Sequence, residues 1–227
     1  MTDESPMVRR SFTGELEQLR LQVEVMAVRV DQNLERMREF FATGSQHVAD
    51  VAVAADDDID AMNVSLTERC YDLLAREAPV ASDLRFVVSV MRVLDELERI
   101  GDLALRVVLV GNEGWLLVRE HATTYDLLTS MADTAVEQFR SALAAWSSQS
   151  VDAAAEVARS FHVLDLANGQ FALELVRLEG PDAVPAAVHS LIIGRALDRI
   201  ADHAAIIGSR LRYLITGDPE HLAAEVR

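Results

Sequence analysis

Chain breakers are scarce in this sequence: 10 glycines and 5 prolines in 227 residues are too few to punctuate the many short strands of a β-sandwich or barrel. Aromatic residues account for only 5%, and the apolar content is mostly Ala, Leu and Val, which suits long helices. A single cysteine, Cys70, excludes an intrachain disulfide and a cysteine-rich zinc site and fits a reducing cytoplasm. Its expected place is the apolar core. Positive charge is also in deficit: 21 Lys+Arg face 37 Asp+Glu, a formal charge of −16. Such a chain repels a phosphate backbone or an anionic lipid surface, which argues against nucleic-acid binding. No stretch approaches the ~18 uninterrupted apolar residues of a membrane span, and the first ten residues carry no apolar signal core. With half of its residues hydrophobic and 26% charged, the chain reads as a soluble, cytoplasmic, all-α protein.

Leu16, Leu19, Val23, Met26, Val30, Leu34, Met37 and Phe41 recur at steps of three and four, the spacing that lines one face of a helix. That pattern predicts a first helix to about Ala42, stopped at Gly44 and restarted at Ser45. A second runs to Pro79, and a third opens with Ser82 as N-cap and Asp83 in its first turn and continues to about Val110. Gly111-Asn112-Glu113-Gly114 is the densest turn signal and marks a boundary. Helices over about 115–147 and 151–179 follow, then a break at Gly180-Pro181 and a sixth helix to about Thr216 with Gly217 as its stop. The expected architecture is therefore two tandem antiparallel three-helix bundles, over residues 12–112 and 113–217. A flexible N-terminus (1–11) and a C-terminal tail (218–227) flank them.

The two halves share a motif. Leu97-Glu98-Arg99-Ile100-Gly101-Asp102-Leu103-Ala104 is repeated 100 positions later as Leu197-Asp198-Arg199-Ile200-Ala201-Asp202-His203-Ala204. A weaker match, at an offset of 105, sets Asp56 and Asp60 against Phe161 and Asp165. Glu98/Asp102, Asp198/Asp202 and Asp56/Asp60 are each spaced i,i+4, so both carboxylates of a pair leave the same side of a helix. Acidic pairs at this spacing would arise about six times by random placement alone. Recurrence in matching apolar context is what sets the motif apart. Two readings stay open from the residues: a site for a hard cation such as Mg²⁺, Mn²⁺ or Ca²⁺, with iron tolerated, or ion pairs to Arg99 and Arg199.

The run from Leu73 to Arg85, containing Pro79-Val80-Ala81-Ser82-Asp83-Leu84-Arg85, together with the two repeated motifs, resembles the PhoU family of phosphate-specific transport system accessory proteins over about residues 12–217. The resemblance implies tandem three-helix bundles whose repeated acidic motifs hold divalent or trivalent metal ions at the bundle surface. It also implies a cytoplasmic, non-enzymatic regulator that damps phosphate uptake and the phosphate-starvation response, working between a phosphate transporter ATPase subunit and a sensor histidine kinase. Carried over position by position, the metal candidates are Asp56, Asp60, Glu98 and Asp102 in the first repeat and Asp165, Asp198 and Asp202 in the second.

Three positions depart from the family pattern. Phe161 stands where an acid is expected, and Arg106 and Ile206 stand where relatives usually carry Asn. Asp83 and Arg85 read as a helix start and a surface charge, and His203 as a solvated neighbour of Asp202. Two further classes compete: a metal-free helical adaptor, and a ferritin-like di-metal enzyme, which needs Glu-x-x-His on two helices. No Glu-x-x-His occurs in this chain. Heptad-like stripes leave a homodimer open.

Overall fold

A computed structural model describes residues 6–226 of the chain. Seven α-helices follow in order: α1 (Pro6–Thr43), α2 (Gln46–Glu77), α3 (Ser82–Glu120), α4 (Ala122–Ser148), α5 (Val151–Arg159), α6 (Asp165–Val176) and α7 (Ala183–Thr216), with a 3₁₀ segment at Pro219–Val226. There is no strand among the described residues. Helices α1–α3 form one bundle and α4–α7 the other, α5 and α6 together making the middle arm of the second. Residues 6–11 of the expected flexible N-terminus belong to α1, and residues 1–5 lie outside the described residues, as does Arg227 of the tail.

The periodic residues are the core. Leu19, Val23, Met26, Val30, Leu34 and Met37 are buried along α1, and Leu197, Ile200, Ala204, Ile207 and Leu211 along α7. Burying one such Leu or Ile side chain is worth about 1.5–3 kcal/mol. A single apolar cluster runs through both bundles, because α3 and α7, the two motif-bearing helices, make the most extensive interhelical contact in the molecule. The two acidic motifs are thus carried on the pair of helices that joins the repeats.

Several boundaries follow the local signals. Ser45 caps α2, its side chain accepting from the Val48 amide, and Gly217 ends α7 in the left-handed region with its amide donating to the Tyr213 carbonyl. Gly44 has φ +64, and any Cβ there would fall 2.6 Å from the Trp115 ring. Only glycine satisfies both the turn and that contact.

Other boundaries are corrected. The expected stop at 111–114 falls on a kink: Gly114 (φ −128, ψ 18) leaves helical geometry, and a further helical segment carries α3 on to Glu120. The two glycines act as contact points, since a Cβ on Gly111 would meet the Phe40 ring at 2.7 Å and one on Gly114 the His189 ring at 2.5 Å. The added turns carry Trp115, whose indole N–H donates to the Phe41 carbonyl beside the Tyr125 hydroxyl (3.2 and 2.9 Å), satisfying the end of α1. Ser82 is not the N-cap of α3. Ala81 holds that place at φ +52. The expected fifth helix is two, broken over residues 160–164 with His162 at φ +68. Gln138, buried in α4, compensates that break by donating to the Val157 carbonyl (3.2 Å) and to the Ser160 hydroxyl.

Candidate metal centre

Helix α2 lies against α3 with Gly101 at the contact: a Cβ there would sit 3.4 Å from Asp56 Oδ1 and 3.5 Å from the Ile59 side chain. Ile59 and Ile100 anchor the two helices in the core at 1% and 0% exposure. With those faces fixed, helical geometry carries Asp56, Asp60 and Asp102 to one spot at the seam, where one carboxylate oxygen from each lies within 4.8 Å of the others. Glu98, one turn before Asp102, faces the same group. Asp56 is buried at 7% exposure, and its Oδ1 has no hydrogen-bond partner. None of the four makes an ion pair within 4.0 Å among the described residues.

Unpaired carboxylates this close raise one another's proton affinity. Burial first, then the negative charges of Asp102, Asp60, Asp57 and Glu98, push Asp56 up to about 6. Burial followed by Asp102 and Asp60 raises Glu98, and burial followed by Asp60 raises Asp102, with Arg106 pulling the latter back. An all-oxygen set of three or four carboxylates, with one buried oxygen lacking any donor, fits a hard cation in charge and in ligand type. Imidazole and thiolate are absent from it, so the set does not select a softer metal.

The second set is built differently. Asp198, also buried, accepts from Arg195 Nη1 at 2.6 Å and from the Asn168 amide at 2.7 Å. Asp202 pairs with Arg199 Nη1 at 3.4 Å. Burial and Asp198 raise Asp202, while Arg199, His162 and His203 lower it. Asp165 is the first residue of α6, its side chain 63% exposed and paired with His162 Nδ1 at 3.4 Å. Among the described residues, the three acids of the first set are the one group of His, Cys, Asp or Glu side chains that converges tightly enough for an ion. Asp165, Asp198 and Asp202 are not brought together in that way, and Asp198 and Asp202 already carry arginine partners.

Sequence reading missed three things here. His203 is not solvated: it is buried and its Nδ1 lies 2.5 Å from Glu96 Oε2, a polar contact across the repeats. Arg99 turns to Glu96 (3.2 Å) instead of to Glu98. Arg85 is no free surface charge, since its Nε donates to the Leu214 carbonyl and caps the end of α7 at 3.2 Å. The i,i+3 spacing of Arg195 to Asp198 and Arg199 to Asp202 was the available signal for the second set. The cross-repeat contact carried none.

Fold and site together define a tandem three-helix-bundle protein with an unpaired carboxylate cluster at one interhelical seam. The family model of the PhoU domain matches residues 23–109 and 128–211, one match in each repeat, and the chain belongs to that family. It is 31% identical over 168 residues to a phosphate-specific transport system accessory protein PhoU homolog of Deinococcus radiodurans, covering 73% of this chain and 78% of that one. It is 28% identical to the Pseudomonas aeruginosa homolog over 222 residues, 95% of this chain and 90% of the other. The crystal structure of PhoU from Pseudomonas aeruginosa superposes with a TM-score of 0.85 over 91% of this chain and 100% of that chain, at 28% identity. The phosphate transport system regulatory protein PhoU from Streptococcus pneumoniae superposes at 0.80 over 91% and 98%, at 25% identity. No helix among the described residues is long and apolar enough to cross a membrane.

Proposed function

We propose that this chain is a metal-binding accessory regulator of phosphate transport that acts by protein contact, with no catalytic step of its own. Family membership supports the pathway: its relatives are named as accessory proteins of a phosphate-specific transport system. The observation that carries the metal reading is the convergence of Asp56, Asp60 and Asp102 around a buried oxygen that lacks a donor. A divalent or trivalent ion there (Mg²⁺, Mn²⁺, Ca²⁺ or iron) would supply positive charge to four mutually repelling acids and fasten α2 to α3. Asp56, Asp60 and Asp102 would ligate directly, with Glu98 completing the set.

The proposed partners are the ATPase subunit of the transporter and a sensor histidine kinase, both met in the cytoplasm. A protein of charge −16 is steered to basic partner surfaces, so added salt should weaken the association. Deleting the gene should leave phosphate-starvation genes running at high phosphate, and an Asp56→Asn/Asp102→Asn allele should fail to restore repression. Full restoration by that allele would favour the metal-free adaptor instead. The di-metal enzyme reading loses support because no histidine joins the cluster.

A further inference from the structure

Charge is missing from two stretches of the second repeat. Residues 166–173 of α6 and 183–194 of α7 contain no Asp, Glu, Lys or Arg, in a chain where 26% of residues are charged. The counterpart of the latter in the first repeat, 100 positions earlier at 83–94, carries Asp83, Arg85 and Arg92. Burial does not explain the difference. Leu173, Val184, Val188, Leu191 and Ile192 are each at least 40% exposed, and Val176, one turn beyond Leu173, is 86% exposed. Single surface aliphatics are ordinary, whereas a contiguous set marks an interaction surface.

These side chains adjoin one another. Helices α6 and α7 run antiparallel, with the Phe171 ring against Gly194, where a Cβ would fall 2.6 Å away, and with Asn168 bonded to Asp198 at 2.7 Å. That register sets Leu173 and Val176 beside Ile192 and Val188. Along α7, Val184, Val188 and Leu191 follow one another at steps of four and three, the spacing with which one helix face receives another helix.

Open charge at the rim has one sign. Glu179 and Asp182 stand in the connection between α6 and α7, and Glu113 and Glu120 on α3, which meets α7 where Gly114 lies against the His189 ring. All four are exposed, and none has an ion pair within 4.0 Å among the described residues. The neighbouring cations are engaged. Arg177 donates to Glu174 at 2.8 Å, Arg119 lies over the Tyr125 ring at 4.1 Å, Arg195 pairs with Asp198, and Arg106 is close enough to Asp102 to lower its proton affinity. We infer that this face docks a partner protein's amphipathic helix whose apolar stripe is flanked by Lys or Arg. The aliphatic side chains supply the area to be buried, and the acids set the orientation. A second copy of this chain would bring the same acids to the rim and be repelled, as would an anionic membrane.

The docking face presupposes the role by protein contact proposed above and owes nothing to the carboxylate cluster. The test is fluorescence anisotropy of metal-free full-length protein with a labelled synthetic peptide of about 18 residues, or five helical turns, with Leu at every third or fourth position and Lys elsewhere. Saturable one-to-one binding is expected, weakened by added salt and about tenfold weaker for a peptide of the same composition whose Leu do not share a face. Val184→Arg and Leu191→Arg should each weaken it about tenfold. Leu21→Arg, at an exposed position on α1, makes the same change of charge away from the face and should leave binding within about twofold. All three positions are exposed, so the variants keep the fold, which circular dichroism would verify. Equal binding of the two peptides, equal losses in the three variants, or no saturable binding would overturn the inference. So would a dimer in sedimentation that Leu191→Arg dissociates, which assigns the face to a second copy, or flotation with phosphatidylcholine vesicles that the same variant abolishes. Peptide binding reads neither metal nor a phosphate response, so its failure and the failure of the gene-deletion test are told apart.

Discussion

One eight-residue motif occurs twice in this molecule and has opposite electrostatic outcomes. In the first repeat, Glu98 and Asp102 meet Asp56 and Asp60 from α2 with no cationic side chain within ion-pairing distance among the described residues; Asp56 is pushed up to about 6, and Glu98 and Asp102 are raised. In the second, Asp198 and Asp202 each carry an arginine partner, Arg195 and Arg199, and Asn168 adds an amide to Asp198, while burial and Asp198 still raise Asp202. The helix bearing the motif is similar, and what differs is the neighbour: an intact α2 in one case, and in the other an arm broken at 160–164 that presents Phe161 and His162. A repeated pair of positions on one helix does not define a site. The facing helix decides whether the charge is left open to an ion or closed by a side chain.

The largest expected effect separates the two sets by their response to metal. Asp56→Asn or Asp102→Asn should weaken Mn²⁺ binding by a hundredfold or more, equivalent to about 2.7 kcal/mol of lost stabilisation at saturating metal. Asp198→Asn should change it little. Equilibrium dialysis with elemental analysis would check this, and equal losses in both sets would erase the distinction drawn here.

A comparable effect is expected in pH dependence. Unfolded, Asp56 releases its proton near 3.8, whereas in the folded chain it holds the proton to about 6. Between those values the folded state binds more protons than the unfolded one, so this group's contribution makes metal-free protein less stable as pH rises through that window and constant above it. Two units correspond to roughly 2–3 kcal/mol. Denaturant unfolding of metal-free wild type and Asp56→Asn should therefore diverge between pH 4 and 6, with the variant the more stable at pH 7.5. Parallel curves would mean that the acids do not strain the apo fold.

The second set should respond to loss of its cation. Arg195→Gln removes the charged partner of buried Asp198, and a cost of about 1 kcal/mol is expected, because the arginine itself is exposed and the Asn168 bond persists. Combining it with Arg199→Gln should make the second repeat take up Mn²⁺ measurably. The smallest effect is Gly101→Ala, which copies Ala201 into the first repeat. Its Cβ makes ordinary contacts at 3.4–3.5 Å, so the gain in helix propensity should appear as up to about 1 kcal/mol of added thermal stability.

Helix type, the core stripes of α1 and α7 and the repeat were legible because each rests on short-range periodicity that a sequence displays directly. So was the first acid cluster, since i,i+4 pairs on two helices needed only α2 and α3 to be adjacent. What could not be read depends on partners distant in sequence. Gly111 and Gly114 do mark a break in helical geometry, at Gly114, but that their missing Cβ atoms also make room for Phe40 and His189 depends on residues far along the chain. The break after Arg159 lies where no glycine or proline stands, sustained by Gln138 from another helix. Glu96 and His203 are 107 residues apart and meet only because α3 and α7 pack together.

The most direct test is a crystal grown with Mn²⁺ and measured at a wavelength where manganese scatters anomalously. The account predicts an anomalous peak bounded by Asp56, Asp60 and Asp102, with none within ligand distance of Asp198 and Asp202. A peak confined to the second repeat, or no peak between α2 and α3 at saturating Mn²⁺, would contradict it.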